Sequence, residues 1–457
     1  TGGVTINSGT LRVTSAIGNG GVAGPLGAAT SDAANLMING GTLELNYSSA
    51  NTTSDRGITF GTNGGTIYGN GTYGAAAIAL NGPVVLQGNG ARTITLRANA
   101  SNRVYTLAGN FADAGGATSI VTAAGPTGGN SSWRLNGSVT MTGGLTVGDG
   151  TVLKVTGTTL SSYGGGLSIG AGAQFSVRTS GTVATNITNN GRINAESGSP
   201  NVVYAGVISG TGQFSPTAGN NTTELRNTTN SYTGITAING SPAGTLRVVK
   251  LANGGQNSSV GASSNAASNL QILNSVLFYL GGGDSTDRLF TVGGYNGTVA
   301  NIGEIVASGS GAIDFTNTGA MVWANAGQTG LLTLSGTNTA NNSLAPVISD
   351  NGVSLVSLTK TGDGTWVLAG NNTFSGTTKI GRGRLSVATV GNTGSSSNLG
   401  ANGTINFGST TTTGTLIYTG VGETSDKVVN LAGTTGGGGI QADNASGTLI
   451  FSNNLTV

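Results

Sequence analysis

Apolar residues recur along this chain in short triplets in which one polar residue separates two apolar ones. Examples are Val4-Thr5-Ile6, Leu145-Thr146-Val147 and Leu385-Ser386-Val387. Alternation with a period of two predicts a short β-strand with one buried face. A few Gly, Asn, Ser, Thr or Asp residues separate the triplets, and these residue types favour tight or left-handed backbone conformations. The pattern therefore predicts short strands joined by corners.

The spacing of the triplets is most regular in the middle of the chain. Leu145-Thr146-Val147 and Leu153-Lys154-Val155 recur, both at the same offset, as Leu167-Ser168-Ile169 and Phe175-Ser176-Val177. A chain that returns to the same position at such a step stacks one coil on the next and aligns its apolar residues into a core. We therefore predict an all-β protein, a parallel β-solenoid with roughly 20 residues per coil.

A longer repeat is superimposed on this spacing. Residues 1–13 (TGGVTINSGTLRV) match residues 375–387 (SGTTKIGRGRLSV) without a gap, and weaker copies surround Tyr232 and Trp133. We predict one continuous solenoid of diverged modules, at about 1–118, 119–222, 223–357 and 358–457. Both chain ends fall inside a module, which favours a longer parent polypeptide or copies joined end to end.

The composition excludes several classes of chemistry. The 457 residues include 84 Gly, only 7% are charged, and there is neither Cys nor His. Disulfides, Cys or His zinc sites and His-dependent catalysis are therefore excluded. The net charge of +2 comes from few charges without a basic face, so we expect no nucleic-acid partner. The apolar runs are too short for a membrane helix, and we expect no cofactor, no metal and no membrane span.

Residues 357–387 read SLTKTGDGTWVLAGNNTFSGTTKIGRGRLSV. This segment resembles the autotransporter-associated β-strand repeat, with a matching Leu-Thr-Lys at 358–360, Gly362, Gly364 and the Asn-Thr-Phe-Ser-Gly at 372–376. The resemblance implies a passenger region of a Gram-negative envelope, secreted or displayed on the cell surface. It also implies a right-handed β-helix.

In each of three modules an acidic residue directly precedes a basic residue. The pairs are Asp55-Arg56, Asp287-Arg288 and Asp426-Lys427. One interpretation makes them a repeated ligand-binding ladder. The interpretation we favour has the carboxylate cap a turn while the basic group is solvated.

Two further features are candidates for contact with a glycan or a partner protein. Trp133 and Trp366 occupy equivalent module positions; exposed indoles could stack on sugars, but repetition at one position favours packing at a coil corner. Lys379, Arg382 and Arg384 form the only local basic group, which could bind envelope polysaccharide or form a solvated strand face. The candidate contact residues are Trp366, Lys379, Arg382 and Arg384.

A polysaccharide-cleaving β-helix enzyme is a remote alternative, which would need two carboxylates across one cleft. The candidates are Asp284, Asp287, Glu304 and Asp314, and nothing in their spacing places two of them together. We therefore expect no enzyme and no catalytic residue.

The leading hypothesis is an extracellular structural β-solenoid, part of a surface-anchored stalk, fibre or sheath. The main alternative is an adhesin or glycan-binding passenger. The expected partners are further copies of the chain, through end-to-end or lateral association, and cell-envelope or surface polysaccharide.

Overall fold

The computed structural model describes residues 2–47, 52–71, 77–99, 103–125, 132–156, 163–195, 201–215, 221–239, 244–294, 300–431 and 435–457. Short strands dominate these ranges, and the helical segments in them are the single 3₁₀ turns Ala33–Asn35 and Ala267–Asn269. The chain forms two compact units, Thr1–Phe214 and Ser215–Val457. The module boundaries expected from the sequence stay a prediction.

In the first unit, successive coils contribute strands to parallel ladders. The first ladder contains Val4–Ile6, Leu36–Ile38, Ile58–Phe60 and Val84–Leu86, and Phe111–Ala112 pairs separately with Val139–Thr140. The second contains Thr10–Val13, Thr42–Leu45, Gly65–Gly69, Arg92–Ala98, Thr118–Ala124, Leu145–Val147, Leu167–Ile169, Ile187–Asn189 and Ile208–Ser209. The third contains Thr52–Ser54, Ile78–Leu80, Val104–Leu107, Ser132–Leu135, Val152–Val155, Gln174–Val177 and Arg192–Ala195. Gly181–Val183 pairs with Val202–Tyr204, and Gln213–Ser215 follows in the sequence.

The second unit is built in the same way. Its first ladder contains Thr222–Leu225, Thr245–Val248, Ser275–Tyr279, Asn301–Ala307, Gly330–Ser335, Val356–Lys360, Thr378–Ile380, Thr404–Phe407 and Val428–Asn430. Its second contains Thr236–Asn239, Leu270–Leu273, Thr291–Gly293 and Val322–Trp323. Its third contains Gly282–Thr286, Gly311–Phe315, Asn341–Leu344, Thr365–Leu368, Gly383–Val387, Gly414–Tyr418 and Gly438–Ala442. Glu423–Ser425 pairs with Leu449–Phe451.

The register of these pairs confirms the predicted solenoid. Leu145 pairs with Leu167, and Leu167 pairs with Ile187, so equivalent positions of successive coils lie side by side. Val4 pairs with Leu36 at a longer step, because a long loop lies between them. The stacked apolar residues form the core, since all these residues except Val4 are at most 4% exposed.

The outer positions of the strands are mostly Thr, Ser, Asn or charged residues. No helix in the described part of the chain is long and apolar enough to cross a membrane.

Candidate functional site

Three loops that share a backbone hydrogen bond from an equivalent Gly extend from the coils where the long steps occur. We call them the Arg56 loop (residues 17–31), the Arg288 loop (251–265) and the Lys427 loop (390–402), after the basic residue each encloses. At the same point of each loop a Gly has a left-handed backbone, with φ of +80°, +81° and +79° at Gly21, Gly255 and Gly394. Only Gly adopts this conformation without strain, which explains its recurrence.

The basic residue holds its loop together from inside. Arg288 is 1% exposed, and its Nε donates to the carbonyl of Ala252 at 3.0 Å. One terminal nitrogen donates to Ser263 Oγ at 2.9 Å and the other to the carbonyl of Gly261 at 3.0 Å. These oxygens lie at both ends of the loop, so the planar guanidinium closes it. Arg56 does the same with backbone carbonyls of its own loop.

Lys427 occupies this position in the third loop. Its Nζ is buried and donates to the carbonyl of Gly400 at 3.1 Å and to the carbonyl of Asn402. Burial lowers the pKa of Lys427 to about 8, while the neighbouring Asp426 and Glu423 act in the opposite direction. The ammonium group has fewer donors than the guanidinium, so it holds fewer points of the loop.

The adjacent carboxylates cap these loops, as the sequence predicts. Asp287 accepts the backbone N–H of Gly254 at 2.7 Å, and Asn253 Oδ1 accepts the N–H of Asp287 at 2.9 Å. Asp55 and Asp426 accept backbone N–H groups in their own loops at 2.7 and 2.6 Å.

The prediction that the basic group is solvated is wrong, because the loop encloses the basic group. Sequence spacing missed this, since the loop that covers Arg288 begins at Leu251, on the preceding coil of the chain.

A second feature lies at a corner of the segment that resembles the passenger repeat. We define the charged cleft as a depression of about 380 Å³ lined by Asp363, Arg382, Gly383, Arg384, Thr411, Thr412, Thr413 and Thr415. Arg382 and Asp363 lie one coil apart and form a two-point ion pair, at 2.5 Å from Nε and 2.8 Å from a terminal nitrogen. Both side chains are about half exposed. A pair this exposed contributes little stability, so it is available for other contacts.

A buried cation lies beneath this corner. The Nζ of Lys360 is within 2.6 and 2.8 Å of the carbonyls of Thr361 and Gly362, and it donates to the carbonyl of Arg382 at 3.1 Å. Burial lowers the pKa of Lys360 to about 8, while Asp363 raises this pKa and Arg382 lowers it further. Lys360 therefore lies close enough to the ion pair for both charges to change its pKa.

The four candidate contact residues do not all meet at this site. Arg382 and Arg384 are exposed and line the cleft, and Lys379 is exposed on the neighbouring strand Thr378–Ile380. Trp366 is completely buried, and its indole N–H donates to the carbonyl of Ser335 at 2.9 Å. Its assignment as a contact residue is therefore wrong, because a buried ring cannot stack on a sugar.

Sequence reasoning missed Asp363 and the Thr residues of the cleft. A usable signal was present, because Trp366 pairs with Leu385, and the same offset along the chain separates Asp363 from Arg382. Thr412 lies one coil further on, where its Oγ1 donates to the carbonyl of Gly381 at 2.7 Å.

The carboxylates considered for catalysis each have a structural partner. Asp284 accepts from the hydroxyl of Tyr279 and from the backbone N–H of Leu251, at 2.9 and 3.0 Å. Asp314 accepts from Ser343 Oγ at 2.8 Å, and Glu304 accepts from Ser335 Oγ. These contacts tie the carboxylates to neighbouring coils or loops.

Comparison with known proteins agrees with this architecture. Residues 358–387 match the model of the passenger-associated-transport-repeat family. The chain is also 37% identical, over 508 aligned residues, to the adhesin BmaC autotransporter of Brucella suis biovar 1 (strain 1330). The match covers 86% of this chain and 14% of that protein, so the chain spans about one seventh of the relative's length. No solved structure matches the chain.

The resemblance seen in the sequence is thus confirmed by a repeat match at the same residues and by a relative aligned along most of the chain. The parallel ladders agree with both. The chain carries a passenger-associated-transport-repeat and is similar over most of its length to part of an autotransporter adhesin, which indicates exposure at the extracellular surface.

Proposed function

We propose that this chain is a structural segment of an autotransporter adhesin, a β-solenoid stalk without catalytic activity. The observation that carries the proposal is the loop closed by an enclosed cation, which recurs three times, each time with the neighbouring aspartate accepting a backbone N–H of the loop. Each loop is joined to the coil that follows it in the sequence, as when Thr286 Oγ1 donates to the carbonyl of Ala252 at 2.9 Å. Such contacts supplement the backbone ladders and stiffen the stack.

The proposed absence of catalysis is supported by the roles of the acidic residues. The carboxylates of the three loops accept backbone N–H groups, and Asp284, Asp314 and Glu304 accept from side chains of the fold. A catalytic pair would instead face a shared cleft across the distance that the reaction requires.

Force spectroscopy on the full chain, pulled from its two termini, tests the stalk. We expect resistance with stepwise unfolding, since repeat arrays lose their units in sequence. The variant Arg288→Met should unfold at lower force, whereas Arg226→Gln, at an exposed ion pair with Glu224, should not. Extension without resistance would contradict a stalk, and release of reducing ends from a panel of polysaccharides would contradict the absence of catalysis.

A second candidate function is direct adhesive contact with saccharide. The charged cleft favours it, because Arg382, Arg384 and Asp363 are exposed side chains concentrated in a chain with few charges. A relative named as an adhesin is compatible with such a contact. Binding of the purified chain to saccharides immobilised on an array tests this function, and absence of binding to every saccharide would contradict it.

Self-association stays a prediction. Sedimentation velocity over a hundredfold range of concentration tests it, because association shifts the sedimentation coefficient upward with concentration. A coefficient that stays constant over that range would contradict it.

A further inference from the structure

We infer that the charged cleft binds an acidic saccharide, a short sugar chain bearing carboxylate or sulfate groups. This inference deepens the second candidate function and rests on it.

Positive charge exceeds negative charge at this corner. Arg382 and Arg384 line the cleft. The side chain of Lys379 lies beside Gly381, the residue that precedes Arg382: its Cε would be 3.6 Å from a Cβ placed on that Gly. Lys360 adds a buried cation that contacts the backbone of Arg382. Asp363 is the one acidic residue of the lining. In a chain with only 7% charged residues, this excess creates a local positive potential.

The two arginines differ in what they already bind. The guanidinium of Arg382 is engaged at two points by Asp363. The side chain of Arg384 is exposed and has no hydrogen bond or ion pair with any residue in the described ranges. Its planar fork of donors suits a carboxylate or a sulfate, which can accept two parallel hydrogen bonds. Arg384 is therefore the anion-recognising residue of the cleft.

The rest of the lining suits the hydroxyl groups of a sugar. Four threonines line the same cleft, at 411, 412, 413 and 415. The hydroxyls of Thr412 and Thr413 already donate to the carbonyls of Gly381 and Gly436, so each offers a sugar an acceptor oxygen, while Thr411 and Thr415 can donate or accept. The volume of about 380 Å³ lies at the small end of ligand pockets, which fits a short saccharide. A nucleic acid would need a longer basic track along its phosphates.

Isothermal titration calorimetry on the full chain tests the inference with three probes: trigalacturonate, a sulfated chondroitin disaccharide and neutral maltotriose. We expect at least one acidic probe to bind, with affinity that falls as salt rises, and maltotriose not to bind. Arg384→Gln should weaken that binding at least tenfold, and Lys379→Gln should weaken it less. Arg226→Gln is the matched control and should leave the affinity unchanged, since its exposed side chain pairs with Glu224 at 2.8 Å.

A gain of affinity distinguishes recognition by charge from a structural effect. Asp363→Asn removes the carboxylate that holds Arg382, so it should strengthen binding of the acidic probe severalfold. Weaker binding by a folded Asp363→Asn variant would overturn the proposed role of Arg382 and Arg384. Circular dichroism spectra establish that each variant is folded, and Lys379→Gln keeps the test informative if one arginine variant is not.

Three outcomes would overturn the inference. Equal binding of maltotriose and the acidic probes would show a saccharide site without the proposed selectivity, and would leave the second candidate function standing. Equal effects of Arg384→Gln and Arg226→Gln would place binding elsewhere. Absence of binding by both acidic probes would show that the cleft does not recognise an acidic saccharide. The proposed stalk survives all three, since force spectroscopy tests it separately.

Discussion

The Arg288 loop and the Lys427 loop share a left-handed Gly and an equivalent capping aspartate, yet different cations close them. Arg288 donates to oxygens of Ala252, Gly261 and Ser263. Lys427 donates to backbone carbonyls of Gly400 and Asn402 only, with Asn402 Oδ1 at 3.5 Å as a further contact. Both loops enclose a buried cation at this place, and the number and direction of its donors determine how many points of the loop are fixed by hydrogen bonds.

The largest expected effect comes from removing the cation of the Arg288 loop. Arg288→Met keeps the aliphatic volume but removes three charge-assisted hydrogen bonds, to the carbonyls of Ala252 and Gly261 and to Ser263 Oγ, so the two carbonyls keep only their hydroxyl donors, Thr286 and Ser258. A hydrogen bond from a charged group contributes about 1.5–3 kcal/mol, so losing three of them should lower the free energy of unfolding by about 3 kcal/mol or more. Urea unfolding and hydrogen exchange of residues 251–265 measure it. A loss below about 1 kcal/mol, with unchanged exchange, would show that the loop does not depend on its cation.

Glycine substitutions within one loop separate backbone strain from steric clash. Gly261 has φ of +74°, and an added Cβ would lie 2.3 Å from the carbonyl oxygen of Tyr232. Gly255 has φ of +81° but faces open space. Gly255→Ala should therefore cost about 1 kcal/mol from strain alone, and Gly261→Ala about 2–4 kcal/mol.

The Lys427 loop repeats this arrangement at Gly394 and Gly400, and it should give the same order of effects. Thermal unfolding of the four alanine variants provides the measurement. Equal costs at the two positions of one loop would contradict the clash.

Exchanging the two cations tests whether charge or donor geometry closes each loop. Arg288→Lys keeps the charge but cannot reach the three oxygens with the same geometry, so we expect a loss of about 1–2 kcal/mol. Lys427→Arg should change stability less, because its loop offers carbonyls already placed around a cation. Denaturant midpoints of both variants give the result. An Arg288→Lys variant as stable as the parent chain would mean that charge alone closes the loop.

The smallest expected effect is a rise of the free energy of unfolding with pH, which the buried lysines produce and the buried arginines do not. Burial lowers the pKa of Lys427 and of Lys360 to about 8, below the ordinary value of 10.5. Between pH 8 and pH 10.5 the unfolded chain therefore binds more protons than the folded chain, and stability rises with pH in that window. We expect a gain of up to about 1 kcal/mol between pH 7 and pH 9.

Above pH 10 this gain should reverse, because burial raises the pKa of Tyr204 and Tyr232, and the unfolded chain loses their protons first. Urea unfolding at half-unit steps of pH tests both limbs. Lys427→Arg is the control and should reduce the rise to the part that Lys360 contributes. A stability that falls from pH 7 to pH 9 would contradict the assigned direction.

Much of the fold follows from the sequence through its periodicity. The repeated step from Leu145 to Leu167 gives the register that the structure has, because identical positions stack when the coil closes at a constant length. The same reasoning places Lys379, Arg382 and Arg384 outside the core. The same reasoning predicted wrongly that the basic residues of the loops are exposed, because Arg288 and Lys427 follow an aspartate in a polar stretch of sequence.

The strands, the stacking of coils and the resemblance to passenger repeats can be read from the sequence, because they depend on local alternation and a regular step. Which charged residues are buried, and which share a cleft, depends on the folded arrangement of the coils. Enclosure of Arg288 requires a loop from the preceding coil to fold over it, and the cleft requires Asp363, Arg382 and Thr412 to meet from successive coils. Both outcomes depend on distances between coils, which a linear pattern does not contain.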